Sequence, residues 1–165
     1  MNGYYLAELN IAEAKFPMDD ARMDGFTKRI DVVNALADDA DGFVWRLVDD
    51  NPDMGGALSL RPFDNPNMLV NMSVWKDIQS LYAFVFNTVH AKVMKGKPAW
   101  FSHLKSHSTV MWWVPVGHIP TLNEAKEKLA LLDDIGPSKD AFTFNQAFTQ
   151  NAKPLVWDAP EKDCA

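Results

Sequence analysis

Two periodicities alternate along this chain, in an order that leaves few folds open. In Tyr4–Ile11, Tyr5, Ala7, Leu9 and Ile11 alternate with Tyr4, Leu6, Glu8 and Asn10, the period of two that marks a strand. Asp19 or Asp20 then stands where a helix cap belongs, and Met23, Phe26, Ile30, Val33 and Ala37 recur at helical spacing. After a turn over Asp38 to Gly42, Phe43–Asp49 reads as a second strand. Phe43, Trp45 and Leu47 share one face, with Val44, Arg46 and Val48 on the other. Asn51–Asn67 is a long connection rich in Pro, Gly, Asn and Asp. Met68–Trp75 is the third strand, with Met68, Val70, Met72 and Val74 on an apolar face and Leu69, Asn71, Ser73 and Trp75 on a mixed one.

Asp77 can cap the next helix, whose stripe is Ile78, Leu81, Val85 and Val89 and which runs to Met94; Gly96 and Pro98 break it. Ala99–Lys105 reads as an extra helical turn and Ser108–Val114 as a fourth strand. Thr121 and Glu124 form a capping box for a third helix, lined by Leu122, Ala125, Leu129 and Leu132 and stopped at Gly136–Pro137. Ala141–Phe144 fits a short extra strand. Residues 1–145 are expected to form one domain and 146–165 a tail, with Trp157 as its anchor.

The first six elements spell βαββαβ, so the expected fold is α+β, a ferredoxin-like four-stranded antiparallel sheet with an extra C-terminal helix and the tail. Helices on one face leave the other needing cover. A second copy placed sheet to sheet supplies it, which makes a homodimer with twofold symmetry the expected assembly. The apolar face of the third strand is expected to meet the helices, so the Asn71 face is expected to look into the resulting barrel.

Composition narrows the partners. Net charge is −6, which disfavours nucleic acid and an anionic membrane surface, since both are bound by clustered Lys and Arg. The lone Cys164 can form no internal disulfide. Met1–Leu9 has neither a basic stretch nor a long apolar run, so no secretory signal is expected and the expected location is cytoplasmic. No segment has the length of a membrane span. Eight Met and six Trp fit core packing first and, as the sharper alternative, a roomy pocket for a flat organic ligand.

Several stretches carry a family resemblance: Leu6–Ala14, Gly42–Asp49, Leu69–Trp75, Ala83–Met94, Trp112–Thr121 (WWVPVGHIPT) and Gly136–Phe144. On these the chain resembles the family catalogued as domain of unknown function 3291. That family looks like a branch of the dimeric α/β barrel superfamily, which includes antibiotic-biosynthesis monooxygenases, haem-degrading monooxygenases and binding modules. The resemblance implies the fold and a dimer. It also implies an Asn and a Trp on one strand face acting on substrate without flavin or metal, a pattern met here by Asn71 and Trp75. His90 is the nearest counterpart of a His recurrent in the haem-degrading branch.

The candidate site follows from strand faces. Asn71, Ser73 and Trp75 share one side; Asn71 can hold a substrate carbonyl or an oxyanion, and Trp75 can stack on an aromatic substrate. The alternative is a buried Asn satisfying backbone groups beside a packed Trp. Arg46 amid apolar residues is read either as an anchor for anionic substrate groups or as half of an ion pair with Glu8 or another strand acid. Glu8 and Asn10 are expected in the same pocket. Of Trp112 and Trp113, one packs under helices and the other lines the pocket, with Trp113 the expected pocket residue.

His90 and Met94 lie four apart on a helix, giving His90 as a general base or as a haem ligand. His103 and His107 are read as surface residues, and His118 as stabilising its turn. No metal site is expected, and the cofactor reading is none, with haem as the alternative. The chain is thus read as a small-molecule oxidative enzyme, monooxygenase-like and cofactor-independent. The alternatives are a haem protein and a non-catalytic ligand-binding module.

Overall fold

The computed structural model describes residues 3–49, 57–87 and 89–157, apart from the side chains at 87, 89 and 90. Cys164 lies outside the described residues. The elements are β1 (Tyr4–Glu13), a 3₁₀ turn (Ala21–Met23), α1 (Asp24–Thr27), α2 (Ile30–Asp38), β2 (Phe43–Arg46) and β3 (Met68–Trp75). They continue with α3 (Ile78–Asn87), α4 (Val89–Met94), α5 (Lys97–Trp100), β4 (Thr109–Pro115) and α6 (Leu122–Ile135). The four strands lie in the order β2-β3-β1-β4 with every neighbour antiparallel, the ferredoxin-like α+β arrangement. Among the described residues no helix is long and apolar enough to cross a membrane.

Local chemistry sets the ends of these elements. Asp20 accepts from the Arg22 backbone N–H at 2.9 Å and Asp77 from that of Ser80 at 2.8 Å, each satisfying a free donor of a first turn. Thr121 caps α6 through the Glu124 N–H at 3.1 Å. The expected return bond of a capping box does not form. The Glu124 carboxylate instead accepts from the Trp112 indole (2.8 Å) and pairs with His118 (2.7 Å). Burial pushes this carboxyl up, but those two bonds and the His118 charge outweigh it and hold Glu124 below its ordinary value. Gly42 carries φ +81, and a Cβ there would collide with Ser80 at the start of α3, so this turn requires glycine.

Both faces of the sheet are covered within one chain. On one, Ala7, Leu9, Val70, Met72, Val74, Val110, Trp112 and Val114 pack against Ala125, Leu129 and Leu132 of α6. The connection after β2 adds Leu60 and Phe63 to that layer. On the other, Leu6, Trp75 and Met111 pack against Ala37 of α2 and Ile78, Leu81 and Phe84 of α3.

Two expectations change as a result. The Asn71 face looks toward the crossover helices, and the wholly apolar face of β3 meets α6. The premise of a sheet-on-sheet homodimer, a bare face, is absent, because α6 buries that face. The physical reason is that the strand pattern marks two buried faces without saying which the crossovers cover. Right-handed β-α-β connection makes that choice.

Smaller differences have local causes. β2 bulges between Phe43 and Trp45, so Phe43 pairs with Trp75, Trp45 with Val74 and Arg46 with Ser73. The extra residue breaks strict alternation. Phe43 joins the α3 side and Trp45 the α6 side, instead of sharing a face. The helix expected from Asp20 to Ala37 is split, and Gly25 lies under the Trp100 ring with no room for a Cβ. The segment after α6 folds back: Phe142 exchanges backbone bonds with Met111, and Phe144, Ala147, Phe148, Leu155 and Trp157 pack beside α3 and β4.

Candidate active site

Strand register assembles a polar patch on the α2/α3 side of the sheet. Arg46 on β2 stands opposite Ser73 on β3, and Ser73 opposite Glu8 on β1. One row along, Asn71 pairs with Asn10, and Asn10 with Thr109 of β4. Five of these six side chains were singled out from strand faces alone, and register brings them together.

The patch floors a cavity of about 450 Å³ between the sheet and the layer of α2, α3 and α4, a volume in the range of small-molecule sites. Phe84, Phe86 and Phe144 contribute apolar wall opposite the polar floor. The cavity is a single-protomer feature, between sheet and helices rather than between two sheets.

Glu8 is the buried acid of the site, 8% exposed. Ser73 Oγ donates to Glu8 Oε2 at 3.2 Å, and Trp75 Nε1 donates to Ser73 Oγ at 2.9 Å. Burial pushes the Glu8 carboxyl up to about 8, and the Ser73 bond offsets only part of that. A carboxyl titrating near neutrality inside a cavity can take up or give a proton under ordinary conditions.

Asn71 is exposed to the cavity, and its amide has no hydrogen-bond partner among the described residues. Asn10 donates to Ser108 O (3.2 Å) and Thr109 Oγ1 (2.9 Å), which fixes its amide orientation.

Residues 5–157 match the family described as Domain of unknown function (DUF3291). The chain belongs to that family. No protein of curated function matches it. Three solved structures are similar. One is a protein of unknown function from Nitrosomonas europaea, at 15% identity and TM-score 0.43, covering 73% of this chain and 97% of that one. Another, from Chloroflexus aurantiacus J-10-fl, is provisionally titled an antibiotic biosynthesis monooxygenase; it has 12% identity and TM-score 0.41, covering 70% and 97%. The third is SnoaB, a cofactor-independent oxygenase from Streptomyces nogalater, at 15% identity and TM-score 0.38, covering 72% and 94%.

The remaining expected site residues of this DUF3291 chain divide. Arg46 borders the cavity, but its guanidinium forks onto Asp38 of α2, Nε to Oδ1 at 2.7 Å and Nη2 to Oδ2 at 3.1 Å. Its ion-pair partner is therefore a helix acid and not Glu8. Trp75 borders the cavity too, yet its ring already stacks on Phe84 (5.2 Å, 27°) and meets Phe43 edge-on (5.4 Å). It is a packed wall that presents a rim, not a free stacking plate.

Trp113 does not line the cavity. It faces the same side as Leu6, donates to Phe148 O at 2.7 Å and leans on Phe142, so it pins the folded-back segment. Trp112 is the member of the pair under a helix, α6. His107 pairs with Asp133 and His118 with Glu124, each at 2.7 Å and partly exposed.

His90 belongs to α4, but its side chain lies outside the described residues. Met94 borders the cavity. Among the described residues no group of three His, Cys, Asp or Glu is placed to hold a metal. A haem reading therefore rests on His90.

Sequence reasoning missed Thr109, Phe84, Phe86 and the lysines Lys95 and Lys97, which also border the cavity. Thr109 was within reach, since antiparallel pairing of β1 with β4 sets it beside Asn10. The lysines carry no sequence signal, because they fall where the helix pattern ends.

Proposed function

We propose that this chain is a monooxygenase-like enzyme acting on a flat aromatic or polyketide-like molecule held in the single-protomer cavity. The observation that carries the reading is Glu8: a buried carboxyl pushed up to about 8, two residues along β1 from Asn10 and near the unpartnered amide of Asn71. The reaction class comes from the family resemblance. The residues supply the means.

A substrate CH₂ group beside a carbonyl gives a proton to the Glu8 carboxylate. The electron pair moves into the carbonyl as an enolate, whose oxygen accepts from the Asn71 amide N–H. The stabilised carbanion passes electrons to dioxygen, the co-substrate, and a C–O bond forms. Glu8 returns its proton to the distal peroxide oxygen. Loss of water leaves a new carbonyl, so that CH₂ and O₂ become C=O and H₂O. His90 on α4 is a second proton carrier in this scheme. Glu8 and Asn71 both border the cavity of a single chain, which supports this reading.

Oxygen uptake with a panel of aromatic ketones bearing acidic C–H groups tests the reading. Asn71→Ala is expected to lower kcat/KM by roughly 10²- to 10³-fold, as loss of an oxyanion donor does. The parent's kcat/KM is expected to rise toward pH 8 as Glu8 ionises, and Glu8→Gln to remove turnover across that range. Oxygen uptake untouched by both substitutions would refute the assignment. Ligand binding without turnover, with or without His90→Ala, would point to a binding module.

A further inference from the structure

The mouth of the cavity carries charge that this chemistry does not use. The whole chain has net charge −6. Two further pockets share Met94 and Lys97 with the cavity. Around all three, Glu8 is the single carboxylate among the described lining residues, against the cations Lys15, Arg29, Arg46, Lys95 and Lys97. Arg46 is neutralised by Asp38. Lys15 donates to Pro98 O at 2.6 Å and Arg29 to Gly25 O at 2.8 Å, neutral acceptors that leave the positive charge uncompensated. The ammonium groups of Lys95 and Lys97 have no ion-pair or hydrogen-bond partner among the described residues.

Lys97 stands where the pockets converge, half-buried, on an anchored turn. Trp100 of the same helix is buried over Gly25 and Gly96, at distances that admit no Cβ on either glycine. The backbone there is tied to the end of β1 and the residues just after it by Lys15 N to Trp100 O (2.8 Å) and Ser102 N to Glu13 O (2.9 Å). A cleft lined by one sign of charge focuses its field and attracts the opposite sign. An ammonium without a carboxylate partner, at the end of a half-buried lysine, gains from an anionic ligand.

We propose that the molecule this cavity takes in is an aromatic organic anion, its ring system against Phe84 and Phe86 and its acidic group at Lys97, with Arg29 and Lys95 adding attraction at the rim. This rests on the cavity being the substrate site, and not on any step of catalysis.

Two fluorescent probes of one ring system test it: 1-anilinonaphthalene-8-sulfonate, an anion, and N-phenyl-1-naphthylamine, its neutral counterpart. The anion is expected to bind the parent more tightly and to weaken as salt rises. Lys97→Gln is expected to weaken the anion about tenfold and leave the neutral probe unchanged, with Lys97→Arg restoring most of the loss. Lys139→Gln, an equal charge change at a lysine paired with Asp140 outside these pockets, is expected to change neither probe. Equal affinity for the two probes, or anion binding unaffected by Lys97→Gln, overturns the proposal. Glu8→Gln separates the two readings: it is expected to remove turnover while anion binding persists.

Discussion

The two faces of this sheet are built to opposite specifications. The α6 face is dry, with Leu9, Met72, Val74, Val110, Trp112 and Val114 all at or below 1% exposure. The Trp112 indole N–H on this face is satisfied by Glu124. The α2/α3 face is packed at both ends, by Phe43, Trp75 and Phe84 at one and by Leu69, Met23, Trp100 and Phe101 at the other. Between them it opens over Glu8, Asn10 and Asn71. Apolar burial concentrated on one face lets the other keep a cavity, a raised carboxyl and an unpartnered amide. Each of these works against stability and is tolerated where function needs it.

The sharpest way to break that contrast is to empty the dry face. Trp112→Ala removes a fully buried ring and strips Glu124 of a donor, and is expected to cost about 3–5 kcal/mol in urea unfolding. A chain of this kind holds only about 5–15 kcal/mol in total. A loss under about 1 kcal/mol would mean that α6 does not seal the face.

Next is Glu8, where the expected sign is opposite. Its folded-state value near 8 lies above the ordinary 4.5, so the folded state holds the proton more tightly than the unfolded chain. The stabilisation is full below pH 4.5 and falls as pH rises toward 8. Measured against Glu8→Gln, parent stability is expected to drop by about 1.4 kcal/mol per pH unit within that window. Parallel curves for the two proteins would show that Glu8 titrates normally and that this face is wetter than described.

The smallest effect probes the relay between the Trp75 packing and the open middle of this face. Ser73→Ala leaves the Trp75 N–H and Glu8 Oε2 without their partner, which is expected to cost about 1–3 kcal/mol. Because the Ser73 bond lowers the Glu8 value, its loss is also expected to move the Glu8 titration upward. A downward movement in the pH profile would contradict the bond's direction.

Much of this was legible beforehand where local pattern and local chemistry agree. β3 has the bounds its alternation gives, Met68–Trp75, and α6 buries Ala125, Leu129 and Leu132 of the stripe its spacing marks. The polar set Glu8, Asn10, Asn71 and Ser73 was visible as residues of shared strand faces. Other features depend on contacts distant in sequence. Asp38 meets Arg46 only after the chain has turned through Gly42 and crossed a bulge. The segment from Gln146 onward looks like a tail until Trp113 is in place to hold Phe148.

The sequence by itself determined four strands, their helices and two buried sheet faces, because side-chain period and end caps act within a few residues of each other. Tertiary structure alone decided which face the crossover helices cover, and so that the candidate cavity lies between the sheet and helices of one chain. Period two is symmetric between the faces of a sheet, and only the handed connection of distant strands removes that symmetry.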